Sequence, residues 1–144
     1  LGSDYVINSL QDPFLLTARI KKEYDGVTVL VGITQNIEAS SNNISADQFP
    51  SPLNSNIISD IKSKDLFKNG RTVILQNKRS ISENYHYYRR YFQRLGWSEN
   101  TGILDVNSGK AVLMMSNGAN TVDISFNKKS ENVNVVFNQV MDGL

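Results

Sequence analysis

The stretch at residues 79–97, RSISENYHYYRRYFQRLGW, decides the fold because it carries every local signal of one amphipathic helix. Ser80 and Glu83 have the S-x-x-E spacing of a capping box. In that motif the serine side chain accepts a backbone N–H from the first turn, and the glutamate accepts the N–H of the serine. The sequence therefore predicts a helix over about 80–95.

The far end of this segment has the signals of a helix stop. Gly96 stands where a left-handed residue ends a helix, and Trp97 can fold back onto Phe92 as in a Schellman ending. Between the two ends, apolar residues recur in steps of four and three, which places them on one face. We interpret this face as core: Ile81, Tyr85, Tyr88, Phe92 and Leu95.

Residues 14–37 predict a β-hairpin. Its second arm alternates apolar residues with others at a period of two: Val27, Val29, Val31 and Ile33. Asp25-Gly26 is a favoured type I′ pair and is predicted to form the turn. Asp12-Pro13 would also suit the start of a helix, but the alternation favours a strand for the first arm.

The middle of the chain is rich in turn-forming residues. Residues 38–56 predict a loop on the surface, where two prolines remove backbone donors. Residues 57–70 predict a short helix that ends at Asn69-Gly70, and 71–77, RTVILQN, predict a central strand.

Four apolar segments joined by short turns follow the main helix, and they predict an antiparallel meander. They are ILDV, KAVLMMS, TVDISFN and NVNVVFNQV. The predicted fold class is α+β, a two-layer sandwich with the helix packed on an antiparallel sheet. We expect a single domain over 1–144, made of an N-terminal hairpin region (1–37), a loop (38–56) and a strand–helix–meander core (57–144). Whether residues 1–49 share the main sheet is left open.

The composition is that of a globular chain, with 40% hydrophobic and 20% charged residues. No apolar run approaches the roughly 20 residues of a membrane span. The net charge of +1 hides a segregation: residues 62–94 carry +7 and the remainder carries −6. Such asymmetry indicates either an anionic partner or attraction between the two halves of the fold, and the second is favoured.

The outward side of the helix supplies the candidate binding residues. His86, Arg90 and Arg94 are spaced four apart and form a basic stripe, with Tyr87 and Tyr91 beside it. A basic face of this kind suits docking of another protein. Alternatively, a phosphate backbone could lie along the arginines while the tyrosines stack on bases.

The sequence offers little for catalysis. One histidine and no cysteine remove most nucleophile–base pairs, disulfides and thiolate metal sites. The aspartates are scattered, and Asp105 and Asp123 are expected to point outward from their strands. We therefore expect no catalytic residue, no metal site and no cofactor, and a chain that is not an enzyme.

The order of motifs resembles small bacterial cell-envelope domains, many of them lipoproteins or periplasmic accessory domains. In these a strand leads to a helix ending Y…L…GW and then to a meander, matched here by Tyr88, Leu95, Gly96 and Trp97 within 50–138. The resemblance implies a non-enzymatic role in an envelope assembly, such as a secretion or pilus apparatus, and assigns no functional residues.

Two functional hypotheses follow. The first is a protein–protein interaction domain of a bacterial envelope assembly, periplasmic or secreted, whose partner is another protein of that assembly. That partner would dock on the basic side of the helix or at a sheet edge, where the segment NVNVVFNQV could add a partner strand if it were not an inner strand. The absence of cysteine suits such an oxidising compartment, although a cytoplasmic protein can also lack it. The second is a nucleic-acid-binding module that uses the same basic face.

Overall fold

The computed structural model describes residues 4–11, 14–35 and 49–143. Contacts divide the chain into two compact units, Leu1–Ser41 and Asn42–Leu144. Asp12-Pro13 and most of the predicted 38–56 loop lie outside the described residues. Whether the two units make one domain, as the sequence predicts, stays a prediction.

The first unit is a three-stranded antiparallel sheet in the order β1-β2-β3. Its strands are β1 (Asp4–Gln11), β2 (Phe14–Glu23) and β3 (Gly26–Gln35). The predicted hairpin is confirmed as β2 and β3, whereas sequence analysis assigned no strand to β1. Among the described residues, these strands pair with one another and not with the other sheet.

The predicted turn of this hairpin is wrong by one residue. Glu23 pairs with Gly26, so the two-residue loop is Tyr24-Asp25 rather than Asp25-Gly26. Gly26 also lacks the positive φ that a type I′ turn would require. The register is set by the apolar side chains that meet across the strands, and it places the glycine within β3.

The second unit contains a six-stranded antiparallel sheet in the order β4-β5-β9-β8-β7-β6. Its elements are β4 (Asn56–Lys64), β5 (Lys68–Asn77), α1 (Ile81–Arg94), β6 (Ser98–Asp105), β7 (Lys110–Asn117), β8 (Asn120–Lys129) and β9 (Asn132–Asp142). The predicted α+β class is confirmed, with one helix packed on an antiparallel sheet and a C-terminal meander. The last strand of the meander, β9, pairs with β5. The strands before α1 and those after it therefore belong to one sheet.

The predicted short helix over 57–70 is wrong. This segment forms β4, a turn and the start of β5, and Asn69-Gly70 lies inside a strand instead of ending a helix. Asp60 in β4 accepts two hydrogen bonds from Arg71 in β5, at 2.9 and 2.7 Å. Cross-strand pairing of this kind is invisible to local propensity, which explains the error.

Both ends of α1 form as predicted. The Ser80 Oγ accepts from the Glu83 N–H at 3.1 Å, and the Glu83 carboxylate accepts from the Ser80 N–H at 2.8 Å. At the other end Gly96 has φ +83°, and the Trp97 N–H donates to the carbonyl of Phe92 at 3.0 Å. Capping thus satisfies amides and carbonyls that the helix leaves without partners.

The core lies between α1 and one face of the six-stranded sheet. The helix contributes Ile81, Tyr85, Tyr88 and Phe92, all buried as predicted. Leu95 is the exception, because it is the C-cap residue just beyond the last helical turn and is 55% exposed. The strands contribute a set of small and large apolar residues: Val73, Leu75, Leu113, Met115, Val122, Ile124, Phe126, Val133, Val135 and Phe137.

Two further burial results differ from expectation. Phe49, in the segment predicted as a surface loop, is buried, and its ring meets Phe137 edge to face at 4.8 Å. Asp123 lies on the sheet face opposite the helix but is 7% exposed rather than solvated. Ile74, Met114 and Val136 are also buried there, so the centre of this second face is not open to water.

Candidate functional site

The predicted binding residues lie together on the outward side of α1, which we call the basic helix face: His86, Tyr87, Arg90, Tyr91 and Arg94. Arg90 and Arg94 are exposed, whereas the other three are half-buried. The face exists because the buried residues of α1 occupy the opposite side at helical spacing. Two of its five members are therefore exposed cations. The other three are rings that also contact buried aromatic residues of α1.

The two tyrosines of the basic helix face pack against the core. Tyr87 meets the ring of Tyr88 edge to face at 5.0 Å, and Tyr91 meets Phe92 in the same way at 5.1 Å. Burial, with a smaller effect from Tyr91, raises the pKa of Tyr87. The Tyr87 phenol therefore stays neutral near neutral pH. Part of each tyrosine ring is withdrawn from any external ligand.

The arginines around α1 differ in their electrostatic pairing. Arg89 donates from Nε to the Glu99 carboxylate at 3.0 Å, and Arg79 lies 3.6 Å from the Glu83 carboxylate. Among the described residues, no carboxylate oxygen lies within 4.0 Å of the guanidinium nitrogens of Arg90.

The same holds for Arg94 within the described ranges. Both positive charges are thus available to an external acidic group. A surface pair formed with them would be weak alone but would help to orient a partner.

A shallow depression of about 250 Å³ adjoins the N-terminal half of the basic helix face. Tyr87 and Arg90 line it from the helix, and Arg79 and Glu83 line it from the capped end. Hydrogen bonds from Ser80 lower the pKa of Glu83, so this carboxylate is ionised at neutral pH and already has Arg79 beside it. Two guanidinium groups and one carboxylate therefore line the depression.

A reciprocal pair of side-chain amides positions the start of α1, and sequence analysis missed it. Asn77 and Asn84 are both buried, and each donates to the other's carbonyl oxygen, at 2.7 and 2.9 Å. Asn77 also donates to the Ser55 Oγ at 3.1 Å, and Asn84 donates to the Ser80 carbonyl at 2.9 Å. The only signal in the sequence was the polar Asn84 beside the apolar helical positions.

A second candidate surface belongs to the N-terminal unit, and we call it the apolar sheet face. Residues that pair directly lie on the same side of a sheet. The register therefore places Tyr5 and Ile7 of β1 beside Ile20 and Ala18 of β2. The second arm of the hairpin completes the face with Val27, Val29, Val31 and Ile33.

Six of the large side chains on the apolar sheet face are exposed, although they are apolar, whereas Ile20 is half-buried. Tyr5, Ile7 and the four β3 residues range from 52 to 67% exposed. Among the described side chains of this unit, Leu15 alone is buried, and it lies on the other face. Soluble monomers rarely expose contiguous apolar patches of more than a few hundred Å², and larger patches mark binding sites.

The described ranges hold no cluster of three or more His, Asp or Glu side chains that could bind a metal ion. Within the same ranges, the single helix of 14 residues is too short and too polar to cross a membrane. These two findings concern only residues 4–11, 14–35 and 49–143.

Comparison with models of protein families, with curated proteins and with solved structures finds no match to this chain.

Proposed function

We propose that the chain is a non-catalytic protein–protein interaction domain whose partner docks on the apolar sheet face. The observation that carries this proposal is the exposure of six large apolar side chains on one side of β1–β3. A sheet of three strands gains stability when its apolar face is covered by another element. A protein partner that supplies apolar side chains would cover it and exclude water.

The basic helix face provides a second contact in this proposal. Arg90 and Arg94 would meet acidic groups of a partner and orient it, while the apolar contact supplies most of the affinity. The envelope setting, with a secretion or pilus apparatus as the assembly, rests on the resemblance of motifs alone. The nucleic-acid alternative has weaker support because Tyr87 and Tyr91 are half-buried against the core.

The test compares two charge substitutions on the same strand. Val31 lies on the apolar sheet face and Leu30 on the opposite face. Their side chains are similarly exposed, at 67 and 64%. The full chain and its Val31→Glu and Leu30→Glu variants would be used as baits in bacterial envelope extract, after circular dichroism confirms equal folding. We expect Val31→Glu to capture at least tenfold less partner than the wild-type chain, and Leu30→Glu to capture the same amount.

A further variant tests the second contact. Arg90→Glu with Arg94→Glu should reduce capture several-fold and make it less sensitive to salt. Equal capture by the wild-type chain and Val31→Glu would refute docking on the apolar sheet face. Salt-dependent retention of the wild type on single-stranded DNA, lost in the double arginine variant, would favour the nucleic-acid alternative instead.

A further inference from the structure

The turn between β4 and β5 presents two large apolar side chains to water. Leu66 and Phe67 are 84 and 79% exposed, the highest values among the large apolar residues described in the second unit. They form a dipeptide at the end of a hairpin, in the sequence KDLFK. We call residues 62–68 the β4–β5 tip.

Backbone hydrogen bonds hold the β4–β5 tip in this shape. The Asp65 N–H donates to the Lys68 carbonyl at 2.8 Å, which closes the turn. The Leu66 N–H donates to the Asp65 carboxylate at 2.7 Å, and the Gly143 N–H donates to the Phe67 carbonyl at 2.9 Å. The two apolar side chains are therefore exposed on a turn whose backbone is fixed on both sides.

Three lysines lie in the same hairpin as the two apolar side chains. Lys62 and Lys64 lie two residues apart on β4 and so share one face of the hairpin. Asn69 pairs with Lys64, so the neighbouring Lys68 lies on the other face. All three are exposed. In the described residues none of the three ammonium groups has a carboxylate oxygen within 4.0 Å.

The acidic groups near the tip leave a positive excess. The Asp60 carboxylate is matched by Arg71. The Asp65 carboxylate accepts the neutral Leu66 N–H and is the one acidic group of the tip, against three lysines. Asp142 lies opposite Lys68 across the β5–β9 pair. Lys62 and Lys64 therefore supply cationic charge that no carboxylate of the described residues offsets at close range.

We propose that the β4–β5 tip docks on a bilayer surface that carries anionic headgroups. Leu66 and Phe67 insert into the boundary between headgroups and acyl chains, while the lysines contact lipid phosphates. Two apolar side chains cover far less than the roughly 800 Å² per partner of a stable protein interface, but they suit shallow insertion into lipid. The chain attaches peripherally in this proposal, and attachment does not depend on the apolar sheet face.

The test measures partition of the full chain onto sized vesicles by flotation. Vesicles of phosphatidylcholine alone are compared with vesicles that contain one third phosphatidylglycerol. We expect binding to the anionic vesicles, weakening as salt rises, and little binding to the neutral ones. In a Phe67→Trp variant, the added fluorescence should shift to shorter wavelength on anionic vesicles, because the indole leaves water.

Matched variants separate the two components. Leu66→Ser with Phe67→Ser should lower the partition coefficient at least tenfold, and each of Lys62→Ala and Lys64→Ala should lower it about fivefold. Val106→Ser removes an apolar side chain of comparable exposure (61%) from a different turn and should leave partition unchanged. Val31→Ser, which keeps the net charge, should also leave partition unchanged, and this result distinguishes the tip from the proposed protein-docking face.

Three outcomes would overturn the proposal. The first is no partition onto anionic vesicles at low salt. The second is equal partition onto neutral and anionic vesicles, which removes the role of the lysines. The third is unchanged partition of the Leu66→Ser/Phe67→Ser variant, which removes the role of the apolar pair.

Discussion

The two sheets of this protein share one sequence pattern and differ in what covers it. In β8, Val122, Ile124 and Phe126 alternate with more polar residues and are at most 2% exposed. In β3, Val29 and Val31 alternate in the same way and are more than half exposed. The six-stranded sheet, which contains β8, has α1 against its apolar face. The described part of the N-terminal unit, which contains β3, consists of strands alone.

The comparison shows that alternation predicts which face of a strand is apolar and not whether that face is buried. Burial needs a second layer, and a layer comes from another element of the chain or from another molecule. The apolar sheet face of the N-terminal unit is therefore as apolar as a core-facing surface, yet its side chains are exposed to solvent. This difference is the basis of the proposed function, and four experiments would break or sharpen it.

The largest expected difference is between two truncations of apolar residues. Phe137→Ala should lower the free energy of unfolding by about 3–5 kcal/mol, because it opens a cavity beneath Phe92, Phe49 and Tyr88. Ile33→Ala should lower it by less than about 1 kcal/mol, since the side chain is 67% exposed. Urea unfolding followed by circular dichroism measures both, and an equal loss would mean that the apolar sheet face is covered in solution.

The next effect concerns the polar contact that holds α1. Asn84→Ala should cost about 2–3 kcal/mol of unfolding free energy, because it removes both hydrogen bonds between the two buried amides. Asn77 then keeps only its contacts with Ser55 and the Arg79 N–H. Asn117→Ala, at an exposed position at the end of β7, should change the value by less than about 0.5 kcal/mol.

A double-mutant cycle sharpens the same point. The loss in Asn77→Ala/Asn84→Ala should be smaller than the sum of the two single losses, because the buried amides satisfy each other. Strict additivity would show that the two amides do not act as a pair.

Alkaline pH should destabilise the second unit through its buried tyrosines. Burial raises the pKa of Tyr88, whose hydroxyl donates to the Pro50 carbonyl at 2.9 Å, and burial also raises the pKa of Tyr85. A raised pKa in the folded state means that this stability is present below the ordinary tyrosine value near 10 and is lost as pH rises above it.

Thermal unfolding between pH 8 and 12 checks this expectation. Tyr88→Phe should flatten the alkaline decline that the wild-type chain shows. An identical profile in the two proteins would contradict the assignment.

The smallest effect is expected at the helix cap. Ser80→Ala removes the acceptor of the Glu83 N–H and should cost about 1 kcal/mol. Gln93→Ala, an exposed change in the last turn of the same helix, should be neutral within about 0.5 kcal/mol. A loss in Ser80→Ala no larger than that control would show that the cap adds nothing to the packing of α1 on its sheet.

The helix was predictable because its signals are local. The S-x-x-E cap, the spacing of its apolar residues and Gly96 all lie within one short segment, and each agrees with the others. The prediction failed at Leu95 because the apolar spacing continues one residue beyond the last helical turn. The outward position of Arg90 and Arg94 followed from the same geometry, and so did the basic helix face.

Other features depended on partners distant in sequence. Residues 57–70 form a strand because Asp60 and its neighbours pair with β5, a contact that local propensity does not report. Phe49 is buried because it meets Phe137, 88 positions later. Asn84 is satisfied by Asn77 across a turn, and nothing in either residue alone indicates the pair.

The sequence by itself determined the α1 helix, its caps, the apolar faces of the hairpin and meander, and the cationic character of residues 62–94. Only the tertiary structure decided which apolar face is covered, which arginines are paired and that Leu66 and Phe67 stand in water. The physical reason is that propensity, capping and periodicity act over a few residues. Burial and charge pairing depend instead on segments that meet only after the chain has folded.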